Sequence, residues 1–203
     1  MFWKEILSFL AIAITVYAFY PYIRSIHQGD VKPHVFSWVI WGITTLIAFF
    51  ASFADRGGVG SIPIGVSSCI TIYVAALAYT KKSDLEITKV DWIFFISAIS
   101  SIPIWVFTSN PLGAIVILTF VDLLGFGPTV RKAYDHPRDE NIGFFSLFML
   151  RNLISIGALE NYSLTTIMFP ASIALSCFGL IVLILIRRKF TLNNHLNAYK
   201  NLE

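Results

Sequence analysis

The chain has 203 residues, of which 56% are hydrophobic and 13% are charged, and its mean hydropathy is +0.72. Because charged residues make up about a quarter of an ordinary soluble domain, this composition excludes that class. The net charge of +3 does not indicate nucleic-acid binding, since the Lys and Arg residues stand in short clusters between apolar runs. We therefore predict an all-α integral membrane protein.

Seven apolar runs are about as long as a helix must be to cross the hydrocarbon core of a bilayer, roughly 20 residues. The first run lacks a small-x-small cleavage site, so we expect it to be retained as a helix. Short loops join the runs, which predicts a single membrane domain over residues 1–203. The predicted spans are residues 5–23, 34–53, 62–80, 91–108, 112–130, 142–159 and 163–186.

Matching residues in the two halves indicate a duplication. They occur in the same order and are separated by a nearly constant 107 to 109 residues. This pattern predicts two triple-helix bundles, 5–82 and 112–189, and a linking helix, 91–108, that keeps both bundles the same way up. The matched pairs are Pro21 and Pro128, Arg24 and Arg131, Ser37 and Ser146, Pro63 and Pro170, and Ser68 and Ser176.

The distribution of basic residues in the loops predicts the orientation. With seven spans, twelve Lys and Arg residues fall on the side of the C-terminus and two on the side of the N-terminus. Basic residues favour the cytoplasmic side, so we expect the N-terminus outside and the C-terminus in the cytoplasm. With six spans, the basic clusters of the two halves would lie on opposite faces, so the linking helix is also needed by the charge pattern.

This organisation resembles the PQ-loop and SWEET superfamily of small-solute membrane carriers. The likeness covers residues 5–189, and Pro21 and Pro128 match the proline of the family's Pro-Gln motif. Trp38-x-x-Trp41 is also similar to an element of the more distant nicotinamide riboside carriers. The resemblance implies a substrate site at mid-membrane between the bundles, which alternate in access by rocking at their prolines. The corresponding candidate hinges are Pro21, Pro63, Pro128 and Pro170.

Two ionisable residues inside predicted spans are the strongest candidates for a functional site. Such groups are costly in a bilayer and are tolerated mainly in a bundle interior or an aqueous cavity. Asp122 and Arg151 lie at similar depths, roughly 12 and 13.5 Å from the cytoplasmic ends of their helices, so an ion pair is predicted. This pair is either structural or changes with the transport state. In the second case Arg151 meets an anionic part of the substrate, or Asp122 carries a coupling proton.

Polar and aromatic residues at helical spacing extend the predicted path. Each group forms a stripe on one helix, as a solute path between related helices requires. The alternative is that the hydroxyl groups bond to backbone carbonyls and hold helices together, and that the tryptophans belong to an interfacial belt. The stripe residues are Ser37, Trp38, Trp41 and Thr45 in the second span, and Asn152 and Ser155 in the sixth.

The first functional hypothesis is a carrier that moves a small polar solute by alternating access. The second is a receptor or scaffold of the same fold that binds a ligand without moving it. An enzyme is not predicted, because no span carries paired carboxylates, a metal-ligand cluster or a nucleophile beside a base. No cofactor or metal is expected, and the partners are a small-molecule solute and the lipid bilayer. The compact loops favour a bacterial inner membrane, and the oligomeric state stays open.

Overall fold

The structure, a computed structural model, describes residues 2–29, 33, 35–81, 89–138 and 140–200. In these ranges all the regular secondary structure is helical. A short 3-10 helix, Gly58–Ser61, precedes α3. The α-helices are α1 Phe2–Gln28, α2 Val35–Ala54, α3 Ile62–Thr80, α4 Lys89–Thr108, α5 Pro111–Gly125, α6 Gly127–Asp135, α7 Ile142–Ala158 and α8 Leu164–Lys200.

Each predicted span overlaps a helix. Four helical segments are long and apolar enough to cross a membrane by length and composition, namely Phe2–Gln28, Val35–Ala54, Gly58–Thr80 and Leu164–Phe190. Three shorter apolar segments accompany them, Trp92–Thr108, Pro111–Gly125 and Ile142–Ala158. The predicted all-helical class is therefore confirmed, and the length and composition of these helices support a membrane protein.

Local sequence explains where two of the helices begin. The side chain of Asn110 accepts a hydrogen bond from the Leu112 backbone at 2.9 Å, and the side chain of Asn141 accepts one from the Phe144 backbone at 3.2 Å. Each asparagine thereby satisfies a backbone donor that lacks a partner within the helix, at the start of α5 and of α7.

The predicted fifth span, 112–130, is divided in the structure. Helix α5 ends at Gly125, and α6 begins at Gly127. Pro128 has no backbone N–H and is the second residue of α6, a position where the missing donor costs nothing. The sequence prediction missed this boundary because the apolar run continues through it.

Six helices form a ring in which α3 packs between α1 and α2, and α8 packs between α5 and α7. Contacts of α1 with α7 and of α2 with α5 close the ring, and α2 also contacts α8. Helix α4 packs against α2 and α5, and α6 packs against α8. The largest cluster of buried apolar side chains includes Ile47, Ile64, Ile115, Leu118, Ile173 and Ile184.

The outward-facing sides of the helices carry large apolar side chains. Phe9 is 73% exposed, Phe120 is 62% exposed and Leu175 is 70% exposed. Exposed apolar surface of this extent is typical of a face that meets lipid or another protein. The ionisable side chains of Asp122 and Arg151 are, in contrast, buried inside the ring.

The two ends of the ring are held by different contacts. At one end, the segment 55–61 between α2 and α3 meets the segment 159–163 between α7 and α8. At the other end, Arg188 donates hydrogen bonds to the carbonyl oxygens of Pro137 and Glu140 at 2.9 and 2.8 Å. The Lys81 ammonium lies 3.5 Å from the carbonyl oxygen of His27 at that same end.

Candidate functional site

A cavity of about 160 Å³ lies inside the ring. All six ring helices contribute to its lining, so it lies where the two predicted bundles meet. The lining residues are Phe19 of α1, Trp38, Trp41 and Thr45 of α2, Ser67 and Thr71 of α3, Asp122 of α5, Phe126 after α5, Phe144, Phe145, Phe148 and Arg151 of α7, and Phe169, Ile173 and Cys177 of α8.

Aromatic rings make up much of the wall. The ring of Trp38 has its centre 5.5 Å from that of Trp41 and 6.3 Å from that of Phe19. Phe148 continues the cluster, with ring-centre distances of 5.4 Å to Phe19 and 4.5 Å to Phe144. Aromatic pairs of this geometry stabilise the fold by more than the burial of their surface alone. We therefore expect the wall to be well ordered.

Gly125 sets the distance between α5 and Trp41. A side-chain carbon at Gly125 would lie 2.9 Å from the indole nitrogen of Trp41. A larger residue at this position would therefore force the indole ring to shift away from the end of α5. The break between α5 and α6 follows directly, so the tryptophan lies beside the point where the predicted fifth span is divided.

Arg151 supplies a buried cation to the cavity. Its side chain is 3% exposed, and the carbon at the centre of its guanidinium lies 5.0 Å from the ring centre of Phe148. One terminal nitrogen lies 3.5 Å from the carbonyl oxygen of Pro63, which is a long contact. The Nε atom is buried and has no hydrogen-bond partner among the described residues. A buried donor without a partner is costly, so this guanidinium has unused capacity to bind a ligand.

Asp122 supplies a carboxyl group to the same cavity and is 8% exposed. The hydroxyl oxygen of Thr44 lies 3.4 Å from Asp122 Oδ1 and 3.0 Å from the Trp41 carbonyl oxygen. A hydroxyl has one proton, so the closer carbonyl competes with the carboxyl group for it.

The predicted ion pair between Asp122 and Arg151 is not formed in this structure. Among the described residues, the hydrogen bonds and ring contacts of each side chain do not include the other. The reason is the order of helices in the ring, since α8 stands between α5 and α7 and presents Cys177 to the cavity. Both groups line the cavity, but the contact that the sequence predicted between them is absent.

The predicted stripe on α2 is largely on the cavity, since Trp38, Trp41 and Thr45 line it. Ser37 is half-buried and does not belong to the lining.

The predicted stripe on α7 is buried but does not face the cavity. Asn152 donates to the Phe148 carbonyl oxygen at 2.8 Å, one turn earlier in the same helix. Neither Asn152 nor Ser155 is a lining residue. The Asn152 Oδ1 and Ser155 Oγ atoms are buried and have no partner among the described residues.

The four candidate hinges occupy different positions in their helices. Pro21 and Pro170 lie inside the continuous helices α1 and α8. Pro63 lies in the first turn of α3, and its carbonyl oxygen is the one that Arg151 approaches. Pro128 follows the break between α5 and α6, and its side chain lies outside the described part of the chain. Their role as hinges stays a prediction.

Sequence reasoning missed most of the aromatic wall and the hydroxyl groups of α3. Phe144, Phe148 and Arg151 are spaced by four and three residues, which places them on one face of α7. Ser67 and Thr71 are likewise one turn apart on α3. The spacing of Phe144 and Phe148 relative to Arg151 could have predicted that these two rings line the same site.

The ring is closed at one end by contacts that we call the seam, between residues 55–61 and residues 159–163. The Glu160 backbone donates to the Gly57 carbonyl oxygen at 3.1 Å, and the Asn161 side chain donates to the Asp55 carbonyl oxygen at 2.8 Å. The hydroxyl group of Ser163 donates to the Asp55 carboxylate. These bonds join α2–α3 directly to α7–α8.

The start of α1 and the 3-10 helix add to the seam. Lys4 donates to the Leu159 carbonyl oxygen at 2.6 Å, and Ser8 donates to the Val59 carbonyl oxygen at 2.7 Å. A side-chain carbon at Gly60 would lie 2.4 Å from the Leu159 backbone nitrogen. Backbone therefore packs on backbone at this end, and little room for solute is left.

The site thus combines an aromatic wall with one guanidinium and one carboxyl group, inside a ring that is closed at the seam. Such a cavity can hold a small molecule that is partly apolar and partly polar. No family model matches the chain, and no curated protein and no solved structure matches it.

Proposed function

We propose that the chain is a membrane carrier that moves a small polar solute by alternating access between two triple-helix bundles. The observation that carries the proposal is the cavity itself, which lies where the two bundles meet and contains both Asp122 and Arg151. Ionisable groups buried within membrane spans most often mark a path for substrate or ions. The resemblance to the PQ-loop and SWEET carriers points to the same function.

The packing of the ring supports a duplicated arrangement of three helices, one linking helix and three helices. In each triplet the third helix packs between the first and the second, as α3 does for α1 and α2, and α8 for α5 and α7. The first helix of each triplet contacts the second helix of the other. Exchanging the triplets leaves these contacts unchanged, as expected for parallel repeats related by an axis along the membrane normal. The linking helix α4 lies outside the ring.

The loop charges support an orientation with the seam on the outer face of a bacterial inner membrane. The seam contains Arg56 as its one basic loop residue, and Lys4 lies beside it. The opposite end carries the basic clusters that end α3 and the apolar part of α8. Basic residues favour the cytoplasm, so in this arrangement the protein is closed to the outside.

The position of the cavity supports an inward-facing state. On α2 the lining residues fall within 38–45, in the half of the helix away from the seam. On α7 they fall within 144–151, again in the half away from the seam, and on α1 the lining residue is Phe19. The cavity is therefore separated from the outside by the seam and by the first turns of α3 and α8, whose lining residues begin at Ser67 and Phe169.

Uptake into proteoliposomes tests the proposed function and requires no assumption about which solute is carried. Vesicles with the purified protein are incubated in a defined mixture of small metabolites, and their contents are measured by mass spectrometry. We expect at least one solute to accumulate faster than in protein-free vesicles, with saturation and with acceleration when the same solute is preloaded. Solutes that bind the purified protein while none enters the vesicles would contradict transport and favour the receptor.

A further inference from the structure

The cavity has a cation and a carboxyl group on two separate walls. Of its described lining residues, Arg151 on α7 is the one basic side chain and Asp122 on α5 is the one carboxyl group. Because α8 separates these helices, the two groups do not neutralise each other by direct contact. Each of them faces the cavity at more than nine-tenths burial.

The unused hydrogen-bonding capacity of Arg151 indicates which chemical group one end of a ligand must carry. Its Nε is buried without a described partner, and its other polar contact is the long one to the Pro63 carbonyl oxygen. A guanidinium matches a carboxylate through two parallel hydrogen bonds, which a neutral hydroxyl group cannot reproduce. A carboxylate on the ligand would satisfy the donor that the protein leaves free.

The carboxyl group of Asp122 indicates which chemical group the other end of the ligand must carry. The nearest described donor is the Thr44 hydroxyl, at 3.4 Å, and this hydroxyl lies closer to the Trp41 carbonyl oxygen. An ammonium group on the ligand would donate a full hydrogen bond to the Asp122 carboxylate. A solute with one charge of either sign would pair with one of the two residues and leave the other unpaired, whereas a zwitterion pairs with both and keeps the cavity neutral.

The remaining wall determines the body of the ligand. Besides the two charged groups, the lining includes the rings of Trp38, Trp41 and Phe148, together with Ile173. A volume of about 160 Å³ is close to that of the engineered cavity of roughly 150 Å³ that binds benzene. The aromatic part of the wall therefore fits an apolar group of a few carbon atoms.

We propose that the cavity binds a small amino carboxylate with an apolar side group, its carboxylate on Arg151 and its ammonium group on Asp122. This assignment rests on the proposed function, because it names the substrate class of the same cavity. Arg151 and Asp122 bind the two charged ends, and Trp38, Trp41 and Phe148 pack against the side group.

Matched probes test the assignment by binding alone. L-Alanine, L-valine, L-proline, L-leucine and L-phenylalanine are each added to the full-length protein in lipid nanodiscs. Binding is followed by the melting temperature and by the fluorescence of the tryptophans. Isobutylamine and isovalerate, which are valine without its carboxylate and without its ammonium group, are tested beside it. We expect at least one of the five amino acids to bind with saturation, and the two single-charge analogues to bind at least about 30-fold more weakly than their parent.

Variants of Arg151 and Asp122 test which residue binds which charged end of the ligand. Arg151→Met keeps an unbranched side chain in the buried site, and it is expected to remove the response to the amino acid while leaving a cooperative melting transition. Asp122→Asn keeps the shape of the carboxyl group and is expected to abolish the preference for L-valine over isovalerate. Arg138→Met, at an exposed loop position, serves as the matched control and should bind as the unchanged protein does.

The outcomes separate this inference from the proposed function. Binding of none of the five amino acids, or equal binding of isobutylamine or isovalerate and valine, would overturn the zwitterion site. It would do so even if the vesicles accumulate another solute. Binding that follows the expected pattern without any uptake would support the zwitterion site and contradict the proposed transport function. An Arg151→Met protein that melts normally and still binds the amino acid would also overturn the assignment.

Discussion

Replacing Arg151 by alanine is expected to abolish solute uptake into proteoliposomes while the protein still inserts and folds. The guanidinium is 3% exposed, lines the cavity and has one nitrogen without a described partner. Removing one member of a buried, hydrogen-bonded charge pair costs about 2–5 kcal/mol. If the solute is the other member of that pair, uptake at limiting concentration should fall by roughly 30- to 5,000-fold.

The control separates lost transport from lost folding. Arg138→Ala removes the same charge from an exposed loop position and should leave uptake near the level of the unchanged protein. Size-exclusion profiles and melting temperatures of both variants report whether they are folded. Normal uptake by Arg151→Ala would show that the cation takes no part in the path.

Cross-linking the seam is expected to stop uptake completely. Asp55 and Ser163 are hydrogen-bonded across the seam and belong to different predicted bundles. In alternating access this end must open once per cycle, so a covalent link between cysteines at the two positions holds the carrier closed. The measurement is uptake by Asp55→Cys/Ser163→Cys before oxidation, after oxidation and after reduction. Reduction should restore the initial rate.

A matched cross-link inside one bundle serves as the control. The hydroxyl groups of Ser52 and Ser61 lie 2.8 Å apart, and both belong to the first predicted bundle. Oxidised Ser52→Cys/Ser61→Cys should retain uptake, because the bundles still move relative to each other. Both pairs are placed in a chain with Cys69→Ser, since Cys69 is exposed whereas Cys177 is 2% exposed. Undiminished uptake with a fully cross-linked seam would rule out opening at this end.

The helices themselves were well predicted from the sequence. The predicted span 62–80 coincides with α3, and 142–159 differs from α7 by a single residue. Apolar length and flanking polar residues determine these boundaries, and both are local features of the chain. The division of the fifth span was missed because a break near Pro128 has no signal in hydropathy.

The partners of the buried groups were predicted less well. The depth of Asp122 and Arg151 follows from counting residues along a helix, and both do line the cavity. Their separation depends on the position of α8 between α5 and α7, which is a property of the tertiary packing. A sequence that is apolar on every side of its helices does not determine which face turns inward.

The same difficulty applies to the aromatic wall. The chain has 18 Phe residues, and hydropathy alone does not separate those that face the cavity from those that face outward. Phe148 lines the cavity, whereas Phe107 is 87% exposed. Only the position of Phe148 one turn before Arg151 marks it as part of a site.

Two distances measured in one protein test the central claim most directly. Spin labels at Arg56 and Glu160 report on the seam, and labels at Gln28 and Arg138 report on the opposite end. All four positions are exposed. Pulsed electron paramagnetic resonance in nanodiscs, with and without the solute that proteoliposome uptake identifies, gives the distance distribution for each pair.

A carrier that alternates between two bundles predicts two populations at each end, and the solute should change them in opposite directions. When the seam pair is short, the opposite pair should be long, and the reverse should hold in the second population. A single narrow distance at both ends, unchanged by the solute, would contradict alternating access.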